Sequence, residues 1–299
     1  MNMKRKIQFM LLRLQMRRRH RRRSRGYEID MCNGPLFGKI LIFAVPLMLS
    51  GMLQLFFNAA DIIVVGQFVG HTALAAVGST GSLINLLVNV FVGLSVGTNV
   101  LVARYYGARD AKHLHETVHT SVLTSVLSGT ALIVIGLILA EPLLTLMGTP
   151  DDVLDQAALY MRIYFVGMPA SLLFNFGAAI LRAVGDTKRP LYFLFISGIV
   201  NVILNLVLVL VFHLGVAGVA IATVTSQVIS AVLVALCLIK TDAPYRLELK
   251  KLRIHKSKLL EIIKIGLPAG MQGAVFSISN VLIQSSINSF GSTVMAGST

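Results

Sequence analysis

The chain has 299 residues, 55% hydrophobic and 13% charged, with a mean hydropathy of +0.77; soluble domains carry about 25% charged residues, so an ordinary water-soluble globule is excluded. The formal net charge of +14 invokes nucleic acid until it is placed along the chain, because residues 1–25 hold eleven Lys or Arg and no acid, leaving +3 for everything after them. No folded domain accompanies that basic stretch, so nucleic-acid binding is set aside.

In chain order the first element is this tail, led by Arg17-Arg18-Arg19-His20-Arg21-Arg22-Arg23. Its apolar part, Ile7 to Met16, is too short to span a membrane and lacks a small-residue cleavage site, which makes it a poor signal peptide. It reads as an unstructured cytoplasmic extension over 1–30, lying against anionic headgroups, or as an upstream start ahead of Met31. Seven apolar runs follow, at about 37–63, 74–103, 117–140, 154–181, 190–212, 215–239 and 262–288, each long enough to cross a hydrocarbon core about 30 Å thick. The expected fold is an all-α polytopic membrane protein.

The connections orient the spans. Arg104, Arg109 and Lys112 follow span two, Arg182, Lys188 and Arg189 follow span four, and eight Lys or Arg lie between Lys240 and Lys264. The alternate connections hold none, and the 141–155 connection carries Glu141, Asp151, Asp152 and Asp155 instead. The positive-inside rule then puts the N terminus in the cytoplasm. Cys32 and Cys237 fall on that reducing side and are expected to be free thiols.

A repeat organises the chain further. Phe43-Ala44-Val45-Pro46 opens span one and Ile265-Gly266-Leu267-Pro268 opens span seven; the two helices end at Gly70-His71-Thr72 and Gly291-Ser292-Thr293. Span seven begins six crossings after span one, an even number that makes the copies parallel, about an axis along the membrane normal, a transporter architecture. The expected domains are a six-helix lobe over 31–240, a cytoplasmic linker over 241–261, and the first helix of a second lobe over 262–299. On this reading the chain is a fragment of a two-lobe protein, inert alone or a half-transporter that dimerises.

Polar residues inside the spans must face protein or water. Gln54, Asn58 and Asp61 share one face of span one; Ser82, Asn85 and Asn89 repeat the pattern on span two. Asn201 and Asn205 lie a turn apart on span five, and Thr223, Gln227 and Ser230 line span six. The four stripes suggest a hydrated cavity walled by amides and one acid, although interhelical hydrogen bonding explains any one of them alone. Asp61 is the one charged residue of the first lobe that no loop accommodates, and it is a natural proton or cation site. Pro46 removes a backbone hydrogen bond and favours a kink. Gly93 and Gly97 form a small-residue face for close helix contact. His115-Glu116-Thr117-Val118-His119 matches the HExxH pattern of zinc hydrolases, so an intramembrane metalloprotease is an alternative that needs a third ligand.

The runs Asn58-Ala59-Ala60-Asp61, Gly93-Leu94-Ser95-Val96-Gly97, Ala103-Arg104-Tyr105-Tyr106-Gly107-Ala108, Leu181-Arg182-Ala183-Val184-Gly185-Asp186-Thr187-Lys188-Arg189-Pro190 and Gly215-Val216-Ala217-Gly218-Val219-Ala220-Ile221-Ala222-Thr223, with Pro46 and Asn201, resemble the multidrug and toxic compound extrusion (MATE) family over about residues 31–299. The resemblance implies a twelve-helix, two-lobe antiporter of a prokaryotic plasma membrane, exporting organic, often cationic compounds in exchange for H+ or Na+. It implies an ion site at Asp61, Asn201 and Thr223, with Asn205 standing where a second carboxylate is frequent, and helix bending at Pro46. A lipid or polysaccharide flippase of the same superfamily is the alternative within transport. No enzymatic activity, resident cofactor, metal or obligate protein partner is expected; the partners are small organic substrates and the lipid bilayer.

Overall fold

A computed structural model describes Tyr27, Ile29 and residues 36–299; the rest of the basic tail, Met31 and Cys32 lie outside the described residues. With no water in the hydrocarbon core, a chain this apolar must satisfy its backbone internally, and the described residues form nine α-helices and no strand. These are α1 (Leu36–Phe68), α2 (His71–Gly107), α3 (Ala111–Leu146), α4 (Asp151–Val166), α5 (Met168–Ala183), α6 (Lys188–Leu206), α7 (Gly215–Lys240), α8 (Lys256–Asn288) and α9 (Ser292–Ser298). Six are long and apolar enough to cross a membrane, and α4 with α5 makes a seventh, bent crossing. The chain is a multi-pass membrane protein, and its crossings coincide with the seven predicted spans.

The helices outrun the apolar runs at their ends. α2 has 37 residues, roughly 55 Å at 1.5 Å per residue, so its polar ends extend past a hydrocarbon core of about 30 Å. Span four departs from the single helix expected: it bends by 50° between Val166 and Met168. Pro169 lacks the N–H that would continue the ladder and its ring crowds the carbonyl four residues back, which breaks the helix at Gly167. A π-helical turn, Val207–Val211, ends span five, and His213 (φ 51°) and Gly215 (φ 54°) make the tight turn expected into α7.

The repeat is visible in backbone geometry. α1 and α8 each have 33 residues and enclose Pro46 and Pro268. Gly70 (φ 119°, ψ 175°) and Gly291 (φ 90°, ψ 171°) hold the same position before α2 and α9, in a conformation open to glycine and strained for other residues.

Three apolar clusters hold the bundle, the smallest being Leu94, Leu101, Phe176 and Ile262 between the other two. Val65, Leu132, Leu144, Met161, Phe165 and Leu172 pack at one end; Leu114, Val118, Ile180, Leu181, Leu238 and Tyr245 pack at the other, here called the linker end. Small residues let the helices meet between them. A Cβ on Gly129 would lie 2.3 Å from the Cα of Pro169, so the bend of span four rests on α3.

The linker after α7 is fastened to this scaffold rather than draped over it. Tyr245 is fully buried and Leu247 N–H donates to Leu238 O at 2.9 Å. His119, fully buried on α3, turns Nδ1 to the carbonyl of His115 at 2.8 Å and accepts from the Glu248 N–H at Nε2, 3.0 Å away. The Thr120 hydroxyl accepts from His255 N–H at 3.1 Å. Glu248 also meets Lys251 at 2.9 Å and His115 at 3.5 Å; the Lys251 hydrogen bond leads the causes that hold its carboxyl below the usual range. On the other side of the linker end, Ile29 N–H donates to Gly185 O at 3.2 Å and the Arg189 guanidinium lies 4.9 Å from the Tyr27 ring centroid.

Gly129→Val should lower the unfolding midpoint in detergent, because the added side chain meets backbone that cannot yield; overpacking of this kind costs about 1–3 kcal/mol. His119→Ala should speed tryptic cleavage at Arg246, Lys250 or Arg253 by about tenfold, the change in local opening that loss of a buried hydrogen-bond partner gives. Cleavage at the parent rate would show that His119 does not hold the linker.

Candidate functional site

Asp61 lies near the end of α1 away from the linker. It is half-buried, and the polar faces of two other helices come to it. On α6, Asn201 and Asn205 are one turn apart and buried, 3% and 0% exposed. The Asn205 amide nitrogen donates to Asp61 Oδ1 and lies 3.4 Å from Asn201 Oδ1. On α7, the Thr223 hydroxyl is within hydrogen-bonding reach of Asp61, although it also donates to Val219 O at 3.0 Å. α1, α6 and α7 thus meet at one carboxylate, and the four residues expected to handle an ion are together.

The sequence reading missed the floor of this site. Tyr160 and Tyr164 on α4 stack with ring centroids 6.0 Å apart, near enough for their phenols to feel the charge of Asp61. Gln227 of α7 is within hydrogen-bonding reach of Tyr164. Two tyrosines at i and i+4 in a span rich in polar residues were the available signal. Two amide oxygens here, Asn205 Oδ1 and Gln227 Oε1, are buried without a hydrogen-bond partner, and buried acceptors are rarely left so.

The remaining stripe residues are not gathered around Asp61. Gln54, Asn58 and Asn85 are exposed in this chain. Asn89 donates to Ser277 Oγ of α8 at 2.8 Å, crossing to the helix after the linker. The Ser50 hydroxyl donates to the carbonyl of Pro46 at 2.8 Å, and α1 runs unbroken through the proline.

Chemically, the cluster offers one carboxylate, two amide carbonyls and a hydroxyl. These are hard oxygen donors, suited to a proton at Asp61 or to a small hard cation shared among them. The HETVH segment does different work. Both ring nitrogens of His119 face the backbone of His115 and Glu248, and among the described residues no three His, Cys, Asp or Glu side chains are grouped to hold a metal.

Comparison with known proteins agrees with this geometry. The MatE family model matches residues 46–207. The probable multidrug resistance protein YoeA of Bacillus subtilis is 34% identical over 262 residues, which cover 85% of this chain and 57% of that protein. Among solved structures, an inward-facing multidrug resistance MATE transporter matches with TM-score 0.74 and 26% identity over 85% of this chain and 59% of its own. An outward-facing one matches with TM-score 0.76 and 28% identity over 81% and 54%. The chain spans under two thirds of each of these proteins. An all-helical bundle of bent and straight crossings, three helices converging on a membrane carboxylate, and these matches together identify the chain as a member of the MATE family.

Proposed function

We propose that this chain supplies the N-terminal lobe, 31–240, the linker, 241–261, and the first helix of the second lobe, 262–299, of a secondary multidrug efflux transporter. It acts in a prokaryotic plasma membrane with the linker end in the cytoplasm, and it exports organic, often cationic compounds in exchange for H+ or Na+. The observation that carries the reading is the Asp61–Asn205 hydrogen bond with Asn201 and Thr223 alongside. The relatives support the transport class, being named as multidrug resistance and multidrug export proteins. The bias of Lys and Arg toward the linker end supports the orientation.

In this reading Asp61 exists in two forms. A neutral Asp61, or one neutralised by a cation, lowers the cost of a charge within the membrane. An ionised Asp61 draws the Asn205 amide N–H to itself. Rotation of that amide turns its unpartnered oxygen toward the carboxylate, and a cation held between the two satisfies both. Asn205 can ligate but cannot carry a proton or a charge, so the exchange rests on Asp61 alone. Gln54, Asn58, Asn85, Asn89 and Gln227 are the amides that would face an organic substrate, and Pro46 is the point at which α1 bends.

Two substitutions test this. Asp61→Asn should abolish efflux of a cationic dye driven by a H+ or Na+ gradient, and should remove Na+ binding measured by calorimetry; full gradient-driven efflux in this variant would overturn the reading. Asn205→Asp should raise apparent Na+ affinity by about tenfold, since adding a carboxylate strengthens a hard-cation site. An unchanged affinity would place the ion elsewhere.

A further inference from the structure

At the linker end, a second polar cluster joins helices on either side of the linker. α8 lies antiparallel along α2, glycine against glycine. A Cβ on Gly93 would come within 2.2 Å of Gly270 Cα, and one on Gly97 within 2.4 Å of the carbonyl oxygen of Ile262. From the other side, a Cβ on Gly266 would lie 2.6 Å from Leu94 Cα, and one on Gly270 2.6 Å from the Val90 carbonyl oxygen. Backbone touches backbone along this line, and beside it fully buried Ile262 packs against Leu94 and Leu101, so the closest approach of the two helices is at the glycines.

Beyond this seam stands Tyr105, eight residues past Gly97. Lys258 of α8 is 4% exposed, and its Nζ donates to the Tyr105 hydroxyl at 2.6 Å and to Glu261 Oε1 at 3.0 Å. The Tyr105 hydroxyl donates in turn to Glu261 Oε2 at 2.7 Å. The ammonium also lies 4.3 Å from the Tyr105 ring centroid, and His113 stacks on that ring at 5.4 Å. A buried ammonium requires compensation, and the source of that compensation matters. Glu261 sits one turn from Lys258 on the same helix, so the ion pair survives if α2 withdraws, and only the tyrosine hydroxyl, which water can serve, loses its partners.

The lever is short. Eight residues of helix put Tyr105 about 12 Å from Gly97, so a tilt of about 10° about the seam moves it about 2 Å, enough to break both hydrogen bonds. At the far end, Asn288 Nδ2 donates to Met147 O at 3.2 Å, tying α8 to the α3–α4 turn. We infer that Tyr105, Lys258 and Glu261 form a releasable latch between the first lobe and α8, and that the glycine seam is the pivot on which the linker end opens. The purpose of opening rests on the transport reading; the latch itself rests on these contacts.

The test uses spin labels at Ala108→Cys and Ser257→Cys, both exposed, in a Cys32→Ser/Cys237→Ser background, with the whole chain in lipid nanodiscs. The parent should give one short distance by pulsed electron resonance. Tyr105→Phe keeps the ring over the ammonium and removes the hydroxyl; it should enrich a longer-distance population about five- to tenfold, the ratio expected for loss of a hydrogen bond. Lys258→Met should do the same. An unchanged distribution in Tyr105→Phe overturns the latch, and that variant alone decides if Lys258→Met does not fold. The two readings fail separately: normal efflux by Asp61→Asn removes the transport mechanism without moving label distances, and immobile labels remove the latch without touching Na+ binding.

Discussion

A carboxylate within a membrane helix is tolerated only where other helices bring polar groups to it, and that requirement at Asp61 orders the far end of this molecule. α6 answers with two buried amides and α7 with a hydroxyl, so three helices are drawn to a common point. The tyrosines of α4 lie beside it because span four is bent at Gly167, where a Cβ would come within 2.7 Å of Gln227 Oε1. The bend, the stacked rings and the amide of α7 form one connected arrangement around the acid.

Much of this was legible in the sequence, for specific physical reasons. A crossing needs about 20 apolar residues, so the seven spans announce themselves, and the repeat of Pro46 at Pro268 and of Gly70 at Gly291 carries through to matching helices and matching backbone angles. Asp61, Asn201, Asn205 and Thr223 stood out because intramembrane polar residues are few and each demands an explanation, but it was the resemblance to the MATE family that grouped these four into one site. Gly93 and Gly97 were legible as a contact face, but their partners on α8 were not, since nothing local in a glycine names the surface it meets. Tyr105 stood in a family-like run, but its meeting with Glu261 was not legible, since nothing in the local sequence shows that Lys258 is buried between them. The HExxH pattern at 115–119 was an alternative that needed a third ligand; here His119 bonds the linker backbone and His115 meets the Glu248 carboxylate.

The inward-facing and outward-facing relatives match this chain nearly equally well, with TM-scores of 0.74 and 0.76. Within this chain, three apolar clusters and the fastened linker hold the helices together.

The helix bearing Asp61 is the most thinly clad element of the bundle. Phe37, Leu41, Met48, Met52, Leu55 and Phe56 all lie open along α1, so the burial that anchors an ordinary core helix is missing there. Few dispersion contacts are forfeited when such a rod leans or flexes, whereas Asn201 and Asn205 are buried among their neighbours. In this chain α1 is seated mainly along α6, where Asn205 meets Asp61, so the placing of the acid rests on that one line of contact and on whatever covers the open face of the helix.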